Sequence, residues 1–132
     1  DLPLALVIAD LDDFKEYNDS YGHISGDRFL AEMGQSLLKM MGPNEIIGRW
    51  GGEEFAICLL GSDINQAREF AEKIRHQVND LVLPSSQRNH GITISLGVAE
   101  KQPDEPLMEA IKRADRSLYV AKRQGKNQTF VQ

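Results

Sequence analysis

A single cysteine, Cys58, is all that the 132-residue chain contains, so no disulfide can form within it. It lies in the apolar run Phe55-Ala56-Ile57-Cys58-Leu59-Leu60, where a buried strand thiol is expected rather than a nucleophile or a metal ligand. Long hydrophobic runs are missing too. Leu4 to Ala9 falls far short of the roughly 20 apolar residues with which a helix crosses a bilayer, and no charged-then-apolar leader precedes it. These absences predict a reducing, cytoplasmic setting with no membrane contact by this domain. Positive charge is not in excess: 15 Lys and Arg against 20 Asp and Glu leave a formal net charge of −5. A general nucleic-acid binder needs a basic face to displace counterions from many phosphates, so nucleic acid is not an expected partner and any phosphate ligand must be held locally. There is no internal repeat, low-complexity tract or linker, which predicts one domain over residues 1–132. Because the chain opens on Asp1-Leu2-Pro3 and an apolar strand, without an initiator Met, it is expected to be a piece of something longer.

What is present is the content of one compact domain. Hydrophobic and charged fractions of 41% and 27% are close to globular averages, so neither disorder nor a fibrous structure is indicated. Leu4 to Ala9 reads as a strand covered on both faces. From Gly26, apolar residues at Phe29, Leu30, Met33, Leu37, Leu38 and Met41 follow helical spacing up to Gly42-Pro43. Ile46 to Trp50 and Glu54 to Leu60 are β-prone runs on either side of Gly51-Gly52-Glu53, predicting a hairpin, with Trp50 packed beneath it. Asp63 can cap a helix carrying Ile64, Ala67, Ala71, Ile74, Val78 and Leu81, stopped by Leu83-Pro84. After a polar loop from Ser85 to His90, Ile92 to Ala99 alternates as a half-exposed strand. A last helix carries Leu107, Ile111, Ala114, Leu118 and Ala121 and ends near Gly125, followed by a short strand at Thr129-Phe130-Val131. The first six of these elements match the split βαβ pattern of a ferredoxin-like sheet with helices on one face. The predicted class is α+β, a ferredoxin-like antiparallel sheet with flanking helices.

Two segments stand out chemically. Asp10-Leu11-Asp12-Asp13 places three carboxylates just past a buried strand, and Gly51-Gly52-Glu53-Glu54 is an acidic hairpin tip. Taken singly, each is an ordinary turn. If the hairpin pairs beside the first strand, Asp10 and Glu53 converge, and two converging carboxylates repel unless a cation or a proton joins them. Hard oxygen ligands suit Mg²⁺ or Mn²⁺.

With Phe55, the hairpin tip spells Gly-Gly-Glu-Glu-Phe, and the chain resembles the GGDEF family of diguanylate cyclases in that variant spelling. Other segments that resemble family motifs are Asp10 to Lys15, Asn18-Asp19, Tyr21-Gly22-His23, Gly26-Asp27, Ser95 to Ala99, Ala114-Asp115 with Leu118-Tyr119, and Ala121 to Asn127. Their shared order covers nearly the whole chain. The resemblance implies an enzyme that condenses two GTP into cyclic di-GMP and two pyrophosphates, with Asp10 and Glu53 as its catalytic carboxylates. It implies Asp10, Glu53, Glu54 and the Leu11 carbonyl as metal ligands for two Mg²⁺ or Mn²⁺ ions. Asn18 and Asp27 take the guanine positions, where turn and helix-start roles are the structural alternative. Asp13, Phe14 and Lys15 take the phosphate cradle, and Lys122 and Lys126 the distal phosphate clamps. Lys126 stands where many relatives have Arg, which keeps the charge and loses the bidentate fork. Gly42 and Glu45 replace the Arg-x-x-Asp pair with which many relatives bind product, so no product-inhibition site is expected. His23 is assigned to the turn before a helix, and nothing links His76 or His90 to a site. The implied partners are GTP, a second copy of the domain across a two-fold axis, and an upstream sensory or regulatory domain. The competing reading is a catalytically silent GTP-binding or regulatory module, although Asp10, Glu53 and both glycines are retained.

Overall fold

The computed structural model describes residues 2–81 and 91–132. In chain order the elements are β1 (Leu4–Leu11), α1 (Phe14–Tyr21), α2 (His23–Met40), β2 (Glu45–Arg49), β3 (Glu54–Leu60), α3 (Ile64–Asn79), β4 (Ile94–Glu100), α4 (Leu107–Arg123) and β5 (Thr129–Val131). The strands form one sheet in the order β2-β3-β1-β4-β5. Four of them pair antiparallel, as a ferredoxin-like βαββαβ unit requires. The sheet as a whole is mixed rather than antiparallel, because α4 carries the chain back along the sheet and β5 joins β4 in parallel. Among the described residues no helix is long and apolar enough to cross a membrane.

The period-2 alternation of β1 divides its side chains between two cores. Val7, Ala9 and Leu11 pack with Phe29, Met33 and Leu37 of α2 and with Ala67, Ala71, Ile74 and Val78 of α3. Leu6 and Ile8 face the other way and pack with Ala110, Ala114 and Leu118 of α4. The first three helices therefore lie on one face, as the split pattern predicts, and α4 covers the second. Asp63 caps α3 in a reciprocal box with Gln66: each backbone N–H donates to the other's side chain at 2.9 Å.

Several expectations need correction. A short helix, α1, precedes α2, and α2 starts at His23 rather than Gly26; α1 buries only Phe14 and Tyr17, too few apolar positions to show a period. β4 starts at Ile94 and is buried on both faces rather than half-exposed. Gly97 explains the close cover: a Cβ there would lie 2.1 Å from the Ala114 carbonyl oxygen and 2.2 Å from the Leu118 nitrogen, so α4 packs directly on the β4 backbone. Trp50 is 55% exposed rather than tucked beneath the hairpin. Cys58 is half-buried beside α4, and burial raises its thiol pKa. Leu83-Pro84 and the loop from Ser85 to His90 lie outside the described residues.

Candidate active site at the carboxyl end of the first strand

The register of the sheet assembles the acidic cluster. Asp10 pairs with Glu54 of β3 on one side and with Ser95 of β4 on the other, and the Leu11 N–H donates to the Glu53 carbonyl at 3.3 Å. Asp10 is in phase with Leu6 and Ile8, so its side chain is on the α4 face. Burial pushes the Asp10 carboxyl above the ordinary carboxylate range, while the Lys122 ammonium pulls it down. Glu53 and Glu54 are raised as well, first by burial and then by the charge of Asp10. Asp10 Oδ1 is buried and finds no hydrogen-bond partner among the described residues, which is costly for an acceptor of this kind. Three carboxylates that are all displaced towards their neutral forms, one with an orphaned oxygen, suit a cation.

A protein cation already sits beside them. Lys122, near the end of α4, donates to the Leu11 carbonyl at 2.9 Å and to Asp12 Oδ1 at 2.8 Å, and lies 3.3 Å from Asp10 Oδ2. Among the described residues no three His, Cys, Asp or Glu side chains converge to hold a metal by themselves. An ion here would therefore rely on the Leu11 carbonyl and on oxygens from a ligand. A donor set of no more than two carboxylates, one carbonyl and ligand oxygens fits Mg²⁺ or Mn²⁺, which keep water and phosphate in their coordination shells.

Asp12 organises the site, a role that sequence reasoning did not assign. It is 4% exposed and accepts hydrogen bonds from Thr93 Oγ1 at 2.7 Å, Ser95 Oγ at 2.7 Å, Lys122 Nζ and the Asn127 N–H at 2.9 Å. Burial alone would raise its pKa, and these hydrogen bonds outweigh burial and hold it below the usual range. The only sequence signal was the pair Thr93, just before β4, and Ser95 within it, facing a carboxylate two residues after Asp10. Arg49 was also missed: its guanidinium donates twice to the Gly52 carbonyl and fastens the signature turn, whose Gly51 and Gly52 are exposed while Phe55 is buried.

The remaining expected residues fall around this cluster. Asp13, Phe14 and Lys15 form the entry to α1, with Asp13 at a φ of 56°, so their amides head a helix whose first N–H groups lack intrahelical acceptors. Lys126 Nζ lies 2.5 Å from Asp13 Oδ1, closing that turn from the far side. Asn18 leans from α1 against α2 over Gly26, where a Cβ would lie 1.7 Å from Asn18 Oδ1. That oxygen is buried with no hydrogen-bond partner among the described residues, and Asp27, the next residue of α2, is exposed. The site thus straddles the end of the sheet, with Asp10 and Lys122 on the α4 face, Asp13 and Lys126 paired at the entry to α1, and Asn18 and Asp27 on α1 and α2. Gly42 and Glu45 lie apart from it and bond each other, the Gly42 N–H donating to Glu45 Oε1 at 2.6 Å. His23 and His76 are exposed on helices, and His90 lies outside the described residues.

The same end of the sheet is braced from α3. Arg75 donates to Asn127 Oδ1 at 3.1 Å and pairs with Glu72, which also accepts from Thr129 at 2.7 Å. The Arg75 hydrogen bond holds the Glu72 carboxyl down at about 2. Because its folded pKa is below the unfolded value of about 4.3, the stabilisation is complete above that value and is lost as pH falls towards 2. Glu72→Gln is therefore expected to lower the melting temperature at pH 7 and to flatten its fall between about pH 5 and 2, as circular dichroism melts at stepped pH will measure.

The family model for the diguanylate cyclase GGDEF domain matches residues 1–128. The chain belongs to the GGDEF family. It is 37% identical over 130 residues to the diguanylate cyclase VdcA of Vibrio cholerae, a match that takes in 96% of this chain and 38% of VdcA. Like the other curated relatives it matches, VdcA is much longer than this GGDEF domain. Among solved structures, the GGDEF domain of DgcB from Caulobacter crescentus in complex with c-di-GMP superimposes with a TM-score of 0.90 at 32% identity, covering 98% of this chain and 77% of that one. The active GGEEF domain of a diguanylate cyclase from Vibrio cholerae, which carries the same variant spelling, superimposes at 0.88 with 30% identity, covering 98% and 83%. The expected α+β class is thereby established as the GGDEF fold.

Proposed function

We propose that this domain is a diguanylate cyclase that joins two GTP into cyclic di-GMP with release of two pyrophosphates. The observation that carries the reading is the convergence of Asp10, with its orphaned buried oxygen, on Glu53 and Glu54 of the signature turn. Membership of a family whose model bears the cyclase name supports it.

On this reading Asp10, the Leu11 carbonyl, Glu53 and Glu54 hold two Mg²⁺ or Mn²⁺ ions. When bound, such ions neutralise triphosphate charge and stabilise the attacking and leaving oxygens. Asn18 and Asp27 read the guanine: its N1 and N2 hydrogens need acceptors, which the Asn18 amide oxygen and the Asp27 carboxylate supply. The amides at Asp13 and Phe14, with Lys15, cradle the inner phosphates, and Lys122 and Lys126 take the outer ones. The 3′-hydroxyl oxygen of one GTP attacks the α-phosphorus of the other, the bond to pyrophosphate breaks, and Glu53 accepts the hydroxyl proton. Most of the acceleration then comes from positioning and charge. One site holds one GTP, so two copies must face each other across a two-fold axis, in the cytoplasm and under the control of an upstream sensory domain.

With Gly42 and Glu45 bonded to each other in place of an arginine and an aspartate, product is not gripped there. The test is incubation with Mg²⁺ and GTP or ATP, followed by chromatography. Cyclic di-GMP should form from GTP alone, along a progress curve that stays linear as micromolar product accumulates. GTP binding without turnover by the domain held as a dimer would mark a silent module, and early stalling reversed by product removal would contradict the missing brake.

A further inference from the structure

Lys122 sits among four oxygens: Asp12 Oδ1 at 2.8 Å, the Leu11 carbonyl at 2.9 Å, Asp10 Oδ2 at 3.3 Å and the Asp10 carbonyl at 3.4 Å. An ammonium has three hydrogens to donate, so it is fully engaged, and it holds two of the oxygens that the proposed ion would need. We infer that Lys122 is a resident counter-cation that closes the ion site until nucleotide arrives, so that a divalent ion and a triphosphate enter as a coupled pair. The inference rests on the assignment of Asp10 and Leu11 as ion ligands.

Steric and charge arguments agree. Mg²⁺ binds oxygen at about 2.0–2.1 Å and keeps a full octahedral shell, which leaves no room for an ammonium on the same carbonyl, and two cations so close repel each other. The ion must displace the lysine from Leu11 and Asp10.

The surroundings let the lysine leave. Asp12 retains Thr93, Ser95 and the Asn127 amide as donors after Lys122 departs, so no buried charge is orphaned. The Leu11 carbonyl passes from one cation to another. Asp10 Oδ1, which has no hydrogen-bond partner among the described residues, is left with a cation to face. With no nucleotide, the displaced ammonium returns to water and its bonds are lost. With a triphosphate present, it moves to phosphate oxygens. Nucleotide then tightens ion binding, and by reciprocity the ion tightens nucleotide binding by the same factor.

The test is Mn²⁺ binding followed by electron paramagnetic resonance, on wild type, Lys122→Gln and Asp10→Asn, each with and without a non-hydrolysable GTP analogue. Without nucleotide, Lys122→Gln should bind Mn²⁺ about tenfold more tightly than wild type, since one positive charge has left the site. The tightening caused by the analogue should shrink severalfold, and Asp10→Asn should lose Mn²⁺ under both conditions. Equal or weaker binding by Lys122→Gln, or none in either protein, overturns the counter-cation role while a loss in Asp10→Asn leaves the ion site standing. Wild-type binding by Asp10→Asn instead removes the ion site itself, and this inference with it. Should Lys122→Gln fail to fold, wild-type protein labelled with ¹⁵N-lysine serves. One ammonium resonance should be protected from exchange in the ion-free protein and collapse when Mg²⁺ and the analogue are added together. A resonance unmoved by that addition overturns the inference.

Discussion

Asp10→Asn is expected to cut cyclic di-GMP synthesis by about a thousandfold, the loss that follows removal of one preorganised group stabilising transition-state charge, while the domain stays folded. The two halves of that expectation have separate causes. Asparagine keeps the shape of aspartate but not the charge that draws a cation to the end of β1. Folding does not depend on that charge, because burial already opposes it and one of its oxygens goes without a hydrogen bond. The melting temperature should hold or rise slightly, as it does where an active-site carboxylate is kept at a cost in stability. Glu53→Gln should behave alike, since Glu53 is raised by burial and by Asp10. Chromatographic product assays beside thermal melts decide both points. Wild-type turnover in either variant would remove these carboxylates from the mechanism.

The largest effect on stability is expected at a residue with no side chain. Gly97→Ala would put a methyl 2.1 Å from the Ala114 carbonyl oxygen and 2.2 Å from the Leu118 nitrogen, both backbone atoms of α4. Neither can turn aside as a flexible side chain would, so the helix must lift off β4. The cost should reach about 3 kcal/mol, the upper end for overpacking, and lower the melting temperature by roughly 10 °C in a domain of this size. Activity should fall with it, because the displaced helix carries Lys122 to the site. Calorimetric melts within about 2 °C of wild type would mean that α4 does not pack so closely.

How far these features could be read beforehand depends on their span in the chain. β1, α2 from Gly26, the hairpin, α3 and α4 were legible because each carries a strong period or a turn signal, and the first four of these with the strand after α3 gave the split βαβ order. α1 was not, since Phe14 and Tyr17 alone are buried in it and Gly22, at a φ of 90°, separates it from α2. β4 was misjudged as half-exposed because Ser95 and Gly97 look like a solvent phase. They are small so that α4 can approach.

The same holds at the site. Asp10 and the glycine turn were visible, and their pairing followed from the expected topology. The hub at Asp12 could not be read in this way, because its partners Lys122 and Asn127 come from the other end of the chain and meet it only once α4 is docked. The inward turn of Lys122 was hidden for the same reason. The family resemblance places Lys122 at the site as a phosphate clamp, and only the packed β1–α4 interface gives it carbonyl and carboxylate oxygens to bind.

On the proposed function the domain is one half of an enzyme, and a second copy across from it is required for turnover. The most direct test of that reading is the rate of cyclic di-GMP formation from GTP and Mg²⁺ by this domain fused to a dimerising coiled coil, set against the unfused domain at the same concentration. The fused pair should turn over and the unfused domain should lag far behind at low concentration, gaining specific activity as concentration rises. A fused pair that is folded, dimeric and saturated with GTP yet makes no cyclic di-GMP would contradict it.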